Sequence, residues 1–213
     1  MRPGGASDRR GSTDQRIRPG GVALVVVDCQ TGFWSERMAA DFPHFTMRVA
    51  ALLVAARGAG VPVVHLREVF RADGADNLAP YRLQGRRLMV EGTRDVEVLP
   101  CAAELPGEPV LRKCAWDGFV GTRGGLIAAL RTVGASVCLF CGLTTSVCVL
   151  QTATAAVGPA RVQRCACCVR AARLSRRCGV TPLAVFRARP CAGQPRLPRR
   201  SRGGCMRRPC LCA

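Results

Sequence analysis

The chain has 213 residues, 14 cysteines and a formal net charge of +18. That length suits one α/β domain with a substantial core and leaves little room for a second. The charge suggests a nucleic-acid or acidic partner until it is located: residues 156–213 hold 14 Arg and no acid, whereas residues 20–155 hold 12 Arg, one Lys and 12 acids, so the globular part is nearly neutral.

Residues 1–20, rich in Gly and Arg, read as a disordered leader. They carry charge but no apolar stretch, which argues against a secretory signal and for a cytoplasmic protein with reduced thiols. Asp8 and Asp14 weigh mildly against a transit peptide, and organellar targeting stays open. Val22–Val27 is a continuous apolar run ending at Asp28, the pattern of a central strand buried on both faces. Val49, Leu52, Leu53 and Ala56 recur at helical spacing before Gly58 and Gly60. Val61–Leu66 is a second strand, and the Gly- and Pro-punctuated residues 69–107 form a long connection suited to a lid or pocket wall.

Val110–Arg112 is a third strand leading into Lys113, Leu126 to Val133 marks a helix face, and Ser136–Cys141 is a fourth strand stopped by Gly142. A further helix follows from about Ser146 to Ala156. No charge occurs between Thr132 and Ala160, but Gly142 and the polar Thr144, Thr145 and Ser146 split that stretch, so it reads as strand, turn and helix rather than a membrane span. The alternation predicts an α/β fold, three layers around a mostly parallel sheet. It occupies residues 21–157; the Arg-, Cys- and Pro-rich residues 158–213 read as a disordered or aberrant tail, with the C-terminal part of the sheet missing or degenerate.

Sites in such sheets lie beyond the carboxyl ends of the strands. Asp28 ends the first strand, Lys113 ends the third, and Cys148 opens the helix after the fourth. Lys113 is the only lysine beside 31 arginines, which suggests a position that needs a compact ammonium rather than a guanidinium fork. A thiol at a helix N-terminus near a cation is expected to have a lowered pKa and to act as a nucleophile. The competing bland readings are a strand-edge Lys, a buried apolar Cys and an Asp that caps its loop.

Four stretches in order, Ala23–Phe33 (ALVVVDCQTGF), Glu91–Pro100 (EGTRDVEVLP), Lys113–Thr122 (KCAWDGFVGT) and Cys141–Ala153 (CGLTTSVCVLQTA), resemble the isochorismatase-like cysteine hydrolases. That family includes nicotinamidases and the amidohydrolases of N-carbamoylsarcosine and ureidoacrylate. The resemblance implies a catalytic triad of Asp28, Lys113 and Cys148, cleaving a C–N bond of a small amide, ureido or carbamoyl compound through a thioester. It also implies a cis peptide between Leu143 and Thr144, oxyanion donors on the amides of Thr144 and Cys148, and a homo-oligomer. Phe33 and Trp116 are candidate pocket walls, with core packing as the alternative.

The metal-binding Asp-x-His pair of nicotinamidases has no counterpart in HLREVFRADGAD, and the chain has only His44 and His65, so no metal or other cofactor is expected. Two CxxC pairs, Cys138/Cys141 and Cys165/Cys168, offer zinc ligands on paper, but positions three apart on a strand face opposite sides. The tail has one aromatic residue, Phe186, so nucleic-acid binding there would be sequence-independent and is not favoured. The break in composition near Ala156 points to a frameshift, a retained intron or a wrong gene model. An inactive truncated relative is therefore one competing reading, and a basic-tail nucleic-acid-binding protein the other.

Overall fold

The computed structural model describes residues 21–157, together with the backbone of Arg164–Cys167 and Val185–Arg187. The expectations for the leader, for Cys168 and for the rest of the tail lie outside the described residues. Six strands form one sheet: β1 (Val22–Val27), β2 (Val63–Glu68), β3 (Val110–Lys113), β4 (Val137–Gly142), β5 (Arg164–Cys167) and β6 (Val185–Arg187). Their order is β3-β2-β1-β4-β5-β6, and all neighbours are parallel except the β5–β6 pair.

The run VALVVV builds the centre of this sheet because alternate side chains serve opposite faces. Ala23, Val25 and Val27 join one buried cluster; Leu24 and Val26 join the other. Helix α2 (Phe45–Gly58) covers the second cluster with Phe45, Val49, Leu53 and Ala56. On the first face lie α4 (Gly118–Gly121), α5 (Gly125–Thr132) and α6 (Leu150–Ala156), which contribute Phe119, Leu126, Leu130, Ala153 and Ala156. Two further short helices, α1 (Glu36–Asp41) and α3 (Ala79–Leu83), sit in the connections. This is the three-layer arrangement the alternation predicts. No helix among the described residues is long and apolar enough to cross a membrane.

Strand boundaries differ from the apolar runs in an informative way. The second run predicts Val61–Leu66, but β2 is shifted to Val63–Glu68, because pairing with β3 carries the ladder through Arg67 and Glu68. Beyond β4, Arg164–Cys167 takes the fifth-strand place within the segment 158–213 read as tail. The C-terminal side of the sheet is thus present in reduced form, with strands of four and three residues.

The rim of the sheet depends on Gly142. Its φ is 127°, and a Cβ there would lie 1.9 Å from the Val27 carbonyl oxygen. That close approach lets Leu143 donate its N–H to the same oxygen at 2.8 Å, binding the turn after β4 to the end of β1. Gly142→Ala combines backbone strain of about 1–3 kcal/mol with a main-chain clash. Its midpoint in thermal unfolding should fall well below that of the parent protein; an unchanged midpoint would contradict this packing.

Candidate active site

The register of the central strands decides which residues meet. Val27 pairs with Leu66 on one side and Gly142 on the other, so the residues after all three positions emerge at one rim. Asp28 follows directly, in a left-handed conformation (φ 49°) that Asp tolerates better than most residues. Lys113 ends β3 opposite Glu68, which ends β2. Cys148 lies in a π-helical turn, Thr145–Val149, that precedes α6. Asp28, Glu68 and Lys113 are fully buried, and Cys148 is 2% exposed.

These side chains form one compact cluster. Lys113 Nζ lies 2.8 Å from Asp28 Oδ2 and 3.5 Å from Glu68 Oε1, and donates to the Ala115 carbonyl at 2.9 Å. One ligand atom each from Asp28, Glu68 and Cys148 falls within 4.8 Å of the others. The three residues named from the sequence are therefore brought together, and a second carboxylate joins them. The positive charge among these acidic groups is the ammonium itself. Of the two histidines, His65 is held by Glu108 at 2.8 Å and His44 flanks the start of α2.

Burial sets the protonation of this cluster. It pushes Asp28 above the usual carboxylate range against the pull of Lys113, which lies close to it. Glu68 is pushed up to about 7, by burial and by Asp28, with Lys113 pulling the other way. Burial alone would lower Lys113, but the two carboxylates outweigh it and its pKa is raised. The Cys148 thiol is pushed up by burial and then by Asp28, although Lys113 lowers it. This corrects the expectation of a lowered thiol pKa at a helix N-terminus. The turn places sulfur in a dry site, where desolvation of the thiolate exceeds the help of one cation that is already engaged.

The backbone around the cysteine is held from several sides. The Leu143–Thr144 peptide is cis. Thr152 Oγ1 donates to the Cys148 carbonyl at 2.7 Å and accepts from the Gly118 amide at 2.9 Å, joining α6 and α4 behind the turn. Trp116 is half-buried against the core on this side of the sheet, with its indole N–H donating to the Tyr81 hydroxyl at 3.3 Å. Phe33, the other candidate wall, packs against the core cluster on the opposite face, which fits its alternative reading. Cys138 and Cys141 likewise fall into the two opposite clusters.

Glu68, Gln30 and Tyr81 were not selected from the sequence. A signal for Glu68 exists: it is the acid at the carboxyl end of β2, but the apolar run stops two residues earlier. Gln30 acts as a clamp. Its side-chain amide accepts from Glu68 N at 2.9 Å and donates to Glu68 O at 3.0 Å, replacing a strand neighbour at the rim.

Residues 22–159 match the Isochorismatase domain family. The chain belongs to that family. It is accordingly a hydrolase, and its relatives include the ureidoacrylate amidohydrolase RutB of Methylorubrum extorquens. That relative is 30% identical over 177 residues, covering 68% of this chain and 71% of the relative. A streptothricin hydrolase of Streptomyces noursei is 36% identical over 138 residues, covering 63% of this chain and 44% of that protein. Among solved structures, a cysteine hydrolase from Pseudomonas syringae pv. phaseolicola superposes with a TM-score of 0.60 at 29% identity, covering 66% of this chain and 68% of that one. N-carbamoylsarcosine amidase from Thermoplasma acidophilum gives 0.61 at 28% identity, covering 73% and 85%.

Two expectations follow for this isochorismatase-family hydrolase. Gln30→Ala leaves the buried Glu68 amide unpaired and should cost about 1–3 kcal/mol in denaturant unfolding. Separately, Glu68 titrates near 7 when folded and near its ordinary 4.5 when unfolded, so the folded state binds the extra proton between those values. Its contribution should make stability fall as pH rises from about 4.5 to 7, and Glu68→Gln should flatten that part of the curve. An identical pH dependence in the variant would show that Glu68 is not the group involved.

Proposed function

We propose that this protein cleaves the C–N bond of a small amide, ureido or carbamoyl compound, with Cys148 as nucleophile. The observation that carries the reading is the gathering of the Cys148 thiol, the Asp28 carboxylate and the Lys113 ammonium in one buried cluster at the carboxyl rim of the sheet. The names of the relatives, amidohydrolase and amidase among them, support the same bond type.

The chemistry follows from the protonation states. Because the thiol is neutral at rest, a base must take its proton as attack occurs, and Asp28 is that base, its carboxyl raised toward a useful range by burial. The sulfur attacks the carbonyl carbon and the carbonyl oxygen becomes an oxyanion, for which the amides of Thr144 and Cys148 are the proposed donors. Collapse breaks the C–N bond, and Asp28 returns the proton to the leaving nitrogen. Water then attacks the thioester, releasing the acid and restoring the thiol. Lys113 holds Asp28 in place and offsets negative charge as it moves between carboxylate and sulfur. No step calls for a metal. Trp116 is the proposed wall against which the substrate lies.

An ammonia-release panel of ureido, carbamoyl and simple amide compounds tests the proposal. Cys148→Ala should abolish turnover of any substrate the parent protein accepts, and Asp28→Asn should lower kcat by about 100-fold or more. Equal turnover by the parent and Cys148→Ala would remove the mechanism. With a slow substrate, mass spectrometry should find an acyl adduct on Cys148 in the parent and none in the variant.

A further inference from the structure

The hydroxyl of Thr152 stands between the turn that carries the nucleophile and the segment that carries Trp116. Thr152 lies in α6, four residues after Cys148, and is fully buried. Its oxygen lies 2.7 Å from the Cys148 carbonyl and 3.3 Å from the Trp116 carbonyl. A hydroxyl has one hydrogen, and the shorter contact takes it. The same oxygen accepts from the Gly118 amide at 2.9 Å. Helix α4 needs that acceptor. Its cap residue, Asp117, commits its side chain to the Phe119 amide at 2.8 Å, and a helix start leaves further N–H groups without partners. The close approach of the two helices requires glycine at 118, where a Cβ would lie 2.5 Å from Leu66 Cδ1 and 3.1 Å from Thr152 Cγ2.

We propose that Thr152 is a positioning residue whose single hydroxyl fixes Cys148 relative to Trp116, and so sets where the sulfur meets the carbonyl of a substrate lying on that wall. The inference rests on the thioester reading above. A helical hydroxyl that bonds back to the carbonyl four residues earlier is ordinarily a local matter. Here the same oxygen is also the acceptor for another helix, so the main chain at Cys148 and that at residues 116–118 move together or not at all. The stretch from Lys113 to Gly118 is thereby fixed at two points, by the ammonium at the Ala115 carbonyl and by Thr152 at the Gly118 amide. On the other side, Cys148 sits in the π-helical turn Thr145–Val149, a rare and short conformation that recurs at functional sites. Attack needs the sulfur about 3–3.5 Å from the carbonyl carbon, and an error of about 1 Å costs roughly 100-fold in rate. A ground-state complex resting on Trp116 tolerates such an error, whereas the transition state does not. Loss of the hydroxyl therefore falls on kcat rather than on KM.

The test compares Thr152→Val, which keeps the shape and removes the hydroxyl, with Thr152→Ser, which keeps the hydroxyl and removes a methyl. Both are assayed well below their unfolding midpoints, on a substrate that the ammonia-release panel identifies. Thr152→Val should lower kcat about tenfold or more with KM changed by less than about threefold, and Thr152→Ser should stay within about threefold of the parent in both. Should the valine methyl crowd the Gly118 amide and prevent folding, Thr152→Ala removes the hydroxyl without that contact and carries the same expectation. A side chain that served packing alone would give the reverse order, since serine loses the methyl and valine keeps it. Equal loss in the serine and hydroxyl-free variants, or a kcat within about twofold of the parent without the hydroxyl, would overturn the proposal. A second measurement needs no turnover. Alkylation of Cys148 by iodoacetamide, followed by peptide mass spectrometry, should run about threefold or more faster in the hydroxyl-free variant, because a loosened turn uncovers the buried sulfur. An unchanged rate would overturn the proposal as well. Turnover surviving in Cys148→Ala would sink the thioester reading, while the alkylation rates would still decide whether Thr152 holds the turn.

Discussion

Two carboxylates, one ammonium and one thiol share a volume from which water is excluded, and the contact of Lys113 with Asp28 at 2.8 Å keeps that arrangement together. Moving such groups out of water costs several kcal/mol per ion even after relaxation, and their mutual attraction offsets this only where the geometry is held. Here it is held by the main chain. Asp28, Glu68 and Lys113 each follow directly from a ladder of parallel strands, and the Gln30 side chain completes the pairing of β2 where no strand remains. The sheet fixes the charges, and their pairing makes burial at the rim tolerable.

The same dryness shapes the chemistry. A solvent-exposed thiol beside a lysine would carry a fraction of thiolate at rest; this thiol is instead pushed upward and stays neutral. A neutral nucleophile suits an arrangement with a base at hand, and in the proposed mechanism the proton moves to Asp28 only as the sulfur engages a carbonyl. Charge is then created where Lys113 and the proposed oxyanion donors can meet it. Glu68 makes the balance finer, because burial and Asp28 push its carboxyl up to about 7 against the pull of Lys113.

Much of this was legible in the residues. Continuous apolar runs announced β1 and β4 to within a residue, because a strand buried on both faces has no room for polar positions. The ends of the first and third strands selected Asp28 and Lys113, and the rule that sites lie beyond strand carboxyl ends brought in Cys148. Glu68 was hidden for the same reason in reverse. Strand β2 continues past its apolar run, and the burial of its last residue comes from β3 and the connection above it. Tyr81 was hidden because the short helix α3 has no periodic apolar face; it is placed by edge-on contacts with Phe70 and Trp116. Phe33 is half-buried and packs against the cluster on the other face, a contact its sequence position alone did not specify.

The sequence by itself determined the class of fold, the order of the elements and the three side chains at the rim, since these follow from local hydrophobic pattern and chain direction. Tertiary structure alone decided that a second carboxylate joins them, that Gln30 clamps it, that Tyr81 meets Trp116, and that the thiol is raised rather than lowered. Those outcomes depend on burial and on contacts between residues tens of positions apart. Both arise only when strands and connections pack, and neither leaves a periodic trace along the chain.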